Sequence, residues 1–128
     1  QAFVSENSKR SISFKSMGRI NYLSTMQFVD GVIGNSSSGI MEAPTFNTGT
    51  INIGDRQKGR IQASSIINCK PTKSLITKAI NSLYSKEYKA TLSSIINPYG
   101  KGDASKKIIE ILRDIKLPEE LKKEFYDL

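Results

Sequence analysis

Short apolar runs alternate with longer periodic segments along the chain, which predicts an α/β domain with helices layered on a sheet. Ser11–Phe14 alternates polar and apolar positions and predicts a short strand. From Arg19 to Val29, residues Ile20, Leu23, Met26, Phe28 and Val29 recur at mainly three- and four-residue spacings, the stripe of a helix. Gly31–Gly34 reads as a short buried strand between glycines. Ser37–Ala43 reads as a helix stopped by Pro44, because a proline pushes its predecessor out of the α region. Thr50–Ile53 is a further strand, Gly54–Arg60 a polar basic loop, and Ser64–Asn68 another β-branched run. Pro71-Thr72 opens a helix that continues through Ile76, Ala79, Ile80 and Leu83. The segment after Ser85, up to Ile96, is expected to be partly helical, and Asn97–Asp103 is rich in turn residues. Ala104–Ile115 carries Ile108, Ile109, Ile111, Leu112 and Ile115, a strong core-helix pattern broken by Pro118. Glu119–Leu128 is a last amphipathic segment.

Strands separated by helices imply a mostly parallel, Rossmann-like sheet with flanking helices and right-handed crossovers. Such sheets take ligands at the carboxyl ends of their strands. Neither repeats nor low-complexity linkers divide the chain.

Composition narrows the chemistry. The 128 residues contain no His and one Cys, Cys69. An internal disulfide framework and a Cys/His zinc site are therefore excluded. Any Ser-His or Cys-His nucleophile system would need a histidine from outside these residues. Cys69 has no local base and reads as an ordinary apolar residue; Met17, Met26 and Met41 read as packing residues. No apolar run approaches the ~20 residues of a membrane span, and the first residues lack a signal peptide's basic-then-apolar order. No membrane partner is expected, and the location expected is cytoplasmic.

The chain carries 19 Lys and Arg against 12 Asp and Glu, a net charge of +7. That balance suits a phosphate-binding surface. Yet the cations are spread from Lys9 to Lys123 with acids interspersed, and the aromatics form no stacking motif. Most of this charge reads as solvated helix faces, and no nucleic-acid partner is expected. Arg56, Lys58 and Arg60 are the clustered exception.

The segment richest in chemistry is Gly34-Asn35-Ser36-Ser37-Ser38-Gly39-Ile40-Met41-Glu42. A strand ends at Gly34, and a helix starts among small residues. Unpaired N–H groups at a helix start favour an anion, and serine hydroxyls add donors. The alternative is that Asn35 or Ser36 merely caps the helix. No P-loop or dinucleotide fingerprint occurs, since Gly31-x-x-Gly34 does not extend into either. Glu42, about a turn and a half into the expected helix, would face away from a phosphate. Its options are paired ribose hydroxyls or simple pairing with the helix dipole. Arg56 follows the next strand, where its fork would meet a diphosphate or only solvent.

Four motifs in order carry a specific resemblance: Ser16–Ser24, Asp30–Pro44, Asn52–Arg60 and Asn97–Gly100. Together they resemble the C-terminal half of the hydrolysing UDP-N-acetylglucosamine 2-epimerases of bacterial sialic acid synthesis. The likeness runs from about Ser11 to Ile115. The non-hydrolysing branch usually reads Thr-Glu-Arg-Pro-Glu where this chain has Asp55-Arg56-Gln57-Lys58-Gly59-Arg60, which favours the hydrolysing branch.

The resemblance implies the second Rossmann-like half of a GT-B-type two-domain fold, with the nucleotide-sugar between the halves. Residues 1–117 would form the UDP-binding domain, and residues 118–128 a tail helix packed on the other half. By motif position Asn35, Ser36 and Ser37 would hold the diphosphate, and Glu42 the ribose hydroxyls. Arg56 would bind phosphate, and backbone near Met17 would meet uracil. Gly34, Ser38, Gly39 and Arg60 are further candidates. Roles for Lys58 and for Asn97–Gly100, a turn or a cleft element, stay open.

The family reaction converts UDP-N-acetylglucosamine and water into UDP and N-acetylmannosamine, through loss of the C2 proton and departure of UDP. The resemblance places proton transfer mainly on acidic residues of the other half, and a family histidine upstream of Gln1. No catalytic residue, cofactor or metal is therefore expected here, and the chain alone is expected to be inactive. The full-length protein is expected to form homo-oligomers. A related UDP-diacetamido-sugar hydrolase is a second reading; a small basic module for phosphate or nucleic acid is a third.

Overall fold

A computed structural model describes residues 2–116 of the protein. Three short strands, β1 (Gly31–Gly34), β2 (Gly49–Ile53) and β3 (Ile66–Cys69), form one parallel sheet in the order β1-β2-β3. The register sets Gly34 beside Asn52, and Ile53 beside Cys69. All three strands thus end at one edge of the sheet. This is the parallel, helix-flanked α/β arrangement that the pattern predicts.

The helices are α1 (Ala2–Glu6), α2 (Arg19–Thr25), α3 (Ser37–Met41), α4 (Lys73–Leu83), α5 (Lys86–Leu92) and α6 (Ala104–Asp114). Alternation along β2 assigns its two faces. Ile51 packs with Ala79 and Leu83 of α4, joined by Ile53, Ile67, Cys69 and Tyr88. Thr50 points the other way, and its hydroxyl donates to the Gly39 carbonyl of α3 at 2.8 Å. Gly39 is required by that approach, because a Cβ there would lie 2.6 Å from the Thr50 methyl. Ile40 and Ala43 are fully buried on this side.

Several expectations need correction. Ser11–Phe14 forms no strand, and Ile12 and Phe14 stay exposed; an alternating pattern does not by itself supply a strand to pair with. The helix expected over Arg19–Val29 ends at Thr25. Its continuation tightens into i→i+3 bonds from Met26, Gln27 and Phe28, and the buried Met26 gives its carbonyl to the Thr48 hydroxyl at 2.7 Å. The helix expected over Ser37–Ala43 is a single turn, and Pro44 lies inside a 3-10 turn, Ala43–Phe46, closed by left-handed Asn47. Proline is tolerated in that first turn, where its missing N–H has no partner to lose.

The run expected at Ser64–Asn68 starts two residues later, at Ile66, and takes in Cys69. Between β2 and β3 the crossover is a loop of turns rather than a helix. α5 realises the helix expected after Ser85, whose side chain caps it by accepting from the Tyr88 N–H at 3.2 Å. α1 was not foreseen by the pattern. α6 forms as expected, but no residue of it is buried, so its apolar stripe is not core among the described residues. The tail helix expected over residues 118–128 lies outside the described residues.

Candidate functional site at the carboxyl edge of the sheet

The candidate residues converge where β1 and β2 end. Gly34 closes β1 at φ 152°, a backbone angle that side chains with a Cβ rarely adopt, so the turn into the serine loop depends on glycine. Asn35 and Ser36 follow, both exposed. Ser36 is the N-cap of α3, its hydroxyl oxygen accepting from the Ser38 N–H at 3.3 Å. The capping alternative thus holds for Ser36, which uses one acceptor position and leaves the hydroxyl hydrogen free to donate. Ser37 opens α3 and is half-buried. With five residues, α3 has little dipole to offer an anion; loop N–H groups and hydroxyls are the donors at this point.

Glu42 sits differently from the expectation. It is the C-cap of α3, at the negative end of the helix dipole, and its N–H donates to the Ser38 carbonyl at 2.9 Å. A carboxylate there gains nothing from the dipole, which removes the structural alternative proposed for it. The Ser38 hydroxyl donates to Glu42 Oε2 at 2.5 Å.

The arginine loop leaves β2 and folds over the serine loop. Arg56 lies on its exposed turn. The next residue, Gln57, is 3% exposed, and its Nε2 donates to the Asn35 carbonyl at 2.8 Å. One buried amide therefore brings the two loops together. Its Oε1 has no partner among the described residues. Arg60 reaches back to α3, with Nη1 3.6 Å from Met41 Sδ, and Lys58 is exposed.

Met17 lines an open cleft with Arg19 and Tyr22. Tyr22 connects this cleft to the serine loop, its hydroxyl lying 2.8 Å from Ser38 Oγ.

The Asn97–Gly100 motif also has a place. Asn97 Nδ2 donates to the Met41 carbonyl at 2.9 Å and to Thr45 Oγ1 at 2.7 Å. Tyr99 donates its hydroxyl hydrogen to the Ile61 carbonyl at 3.0 Å. The motif clamps the end of α3 to the exit of the arginine loop, so it acts on the site as a brace.

Gln57, Tyr22 and Asn97 are the residues that motif reading left without a role. Gln57 had one signal, as the uncharged residue between Arg56 and Lys58; nothing in local spacing marks Tyr22. A third polar feature lies beside the loops, where Asn52 Nδ2 donates to Asn68 Oδ1 and Asn68 Nδ2 to Gln62 Oε1, both at 2.7 Å. Titration is perturbed away from the serine loop. Burial pushes the Tyr88 phenol up, and donating its hydrogen bond to the Asp30 carboxylate does the same for exposed Tyr84. Among the described residues no helix is long and apolar enough to cross a membrane, and no cluster of three acidic, Cys or His residues is placed to hold a metal.

Comparison with known proteins points to one family. The polysialic acid biosynthesis protein P7 of Escherichia coli is 39% identical over 109 residues, covering 84% of this chain and 28% of that protein. The GDP/UDP-N,N'-diacetylbacillosamine 2-epimerase (hydrolyzing) of Campylobacter jejuni is 42% identical, covering 100% of this chain and 33% of that protein. A UDP-N,N'-diacetylbacillosamine 2-epimerase (hydrolyzing) of Legionella pneumophila is 32% identical over 103 residues, 80% of this chain and 26% of that protein. The chain thus spans a third or less of the length of these relatives. The family model described as UDP-N-acetylglucosamine 2-epimerase matches residues 1–113. With its parallel sheet and the two loops joined at its carboxyl edge, the chain belongs to the UDP-N-acetylglucosamine 2-epimerase family.

Proposed function

We propose that this chain is the UDP-gripping part of a hydrolysing UDP-sugar 2-epimerase, the second half of a GT-B-type enzyme. Asn35, Ser36 and Ser37 meet the diphosphate with loop N–H groups and hydroxyls, helped by the backbone of Gly34 and Gly39. Arg56 supplies the countercharge, with Arg60 beside it. Glu42 accepts from the ribose hydroxyls, and backbone at Met17 faces the base. The observation that carries this reading is the Gln57–Asn35 hydrogen bond, which sets the arginine loop against the serine loop at the edge where parallel sheets take ligands.

In the proposed reaction UDP departs as C2 loses its proton, and negative charge develops on the diphosphate. Fixed donors and Arg56 stabilise that charge as it forms, which is electrostatic catalysis. The chain has no histidine, and Glu42 is committed to the ribose. Following the family resemblance, proton transfer is assigned mainly to acidic residues of the other half, and the chain by itself is proposed to bind UDP without turnover. The whole enzyme is proposed to be a cytoplasmic homo-oligomer.

The sugar is UDP-N-acetylglucosamine in the first reading. A UDP-diacetamido sugar is a second reading, supported by the names of the Campylobacter and Legionella relatives. Assays of the complete enzyme on both substrates separate the two. Calorimetric titration of the folded chain with UDP tests the shared core of both readings. Saturable binding, stronger than for uridine, is expected; absence of binding would overturn it.

A further inference from the structure

Three side chains from two helices form a hydrogen-bonded line at the ribose end of the site. Tyr22 in α2 has its hydroxyl 2.8 Å from Ser38 Oγ in α3, and Ser38 Oγ is 2.5 Å from Glu42 Oε2. All three residues are half-buried. The direction of the line follows from the number of protons available. An ionised carboxylate only accepts, so the single Ser38 hydroxyl hydrogen is given to Glu42. Ser38 Oγ then accepts from Tyr22, whose phenol is the donor. Bonds in such a series polarise one another, and the tyrosine strengthens the serine's hold on the carboxylate.

This has two consequences. The Ser38 hydroxyl is occupied and is not a donor to phosphate, so at this position only the backbone serves the diphosphate. Glu42 has Oε2 held from within the protein, which restrains the carboxylate, and no bond to Oε1 is made among the described residues. We propose that Tyr22 is a positioning residue for Glu42, so that recognition of a ribose diol depends on a phenol that does not touch the ribose. Tyr22 also lines the cleft of Met17 and Arg19, so one side chain borders the base side and orients the ribose side. The inference rests on the ribose role proposed for Glu42.

The test compares UDP with 2′,3′-dideoxy-UDP, using the complete natural polypeptide that carries this chain, as wild type and as Tyr22→Phe. Wild type should prefer UDP. Tyr22→Phe should weaken UDP binding about 3- to 10-fold, the size expected for one hydrogen bond, and leave the dideoxy ligand unchanged. Ser38→Ala, which removes the intermediate donor, should show the same selective loss and serves if the tyrosine variant fails to fold. If wild type does not distinguish the two ligands, the ribose role of Glu42 is wrong and the inference falls with it. If wild type distinguishes them but both variants lose affinity equally for both ligands, or lose none, the relay is refuted while the UDP site stands.

Discussion

α3 and α6 are both announced by the amino-acid pattern, and they are held in opposite ways. α3 is a single turn of five residues. Gly39 lies against Thr50, Asn97 takes the Met41 carbonyl, and Gln57 pins the Asn35 carbonyl just before it. α6 has eleven residues and a clear apolar stripe, yet Ile108, Ile111 and Leu112 are each more than half exposed. Helical periodicity therefore reports that a helix has a face to bury, not that a partner for it lies within the same stretch of chain. The short helix is fixed by polar side chains from four other segments, which is the rigidity a site for a charged ligand needs.

Substitutions sharpen this contrast. Arg56→Ala, on the exposed turn, should weaken UDP binding by about 1.5–3 kcal/mol, the range for a charged hydrogen bond, with thermal stability unchanged. A variant that binds as wild type would remove Arg56 from the site. Gly39→Ala drives a methyl into Thr50 beneath α3 and should cost about 1–3 kcal/mol in denaturant unfolding, as overpacking does. Neutrality there would show that α3 is not seated on the sheet as described.

Tyr88→Phe removes the bond from its hydroxyl to the Ser65 carbonyl, 2.7 Å long, at a cost of about 1 kcal/mol. Because burial raises this phenol above its usual 10.0, the unfolded chain ionises first. The tyrosine's contribution is complete below about pH 10 and is lost above it; a Phe variant with the same alkaline slope as wild type would contradict this. Ile111→Ser on α6 should change stability by no more than about 0.5 kcal/mol, as at any exposed position. A loss several times larger would mean that α6 packs onto the domain.

Much of the frame was legible because its signals are local. The β-branched runs between glycines became β1 and β2, the Pro71-Thr72 start placed α4 within a residue or two, and the partly helical segment expected after Ser85 contains α5. The strand expected at Ser11–Phe14 failed because pairing is a long-range property that an alternating tetrapeptide does not encode. The site divided in the same manner. Serine, glutamate and arginine positions were visible as motifs next to strand ends. Their braces were not, since Tyr22 and Ser38 are 16 residues apart, Gln57 and Asn35 22, and Asn97 and Met41 56. The helix expected over Ser37–Ala43 ends at Met41, so Glu42 sits at its C-terminal cap rather than inside it.

The central claim is that the joined serine and arginine loops receive the diphosphate of a uridine nucleotide. Backbone amide NMR spectra recorded during titration with UDP test it most directly. The account predicts saturable shifts at Gly34–Gly39 and around Arg56, smaller ones near Met17, and none along α6. Shifts confined to α6 or to the cation-rich helix faces, with the serine loop silent, would contradict it.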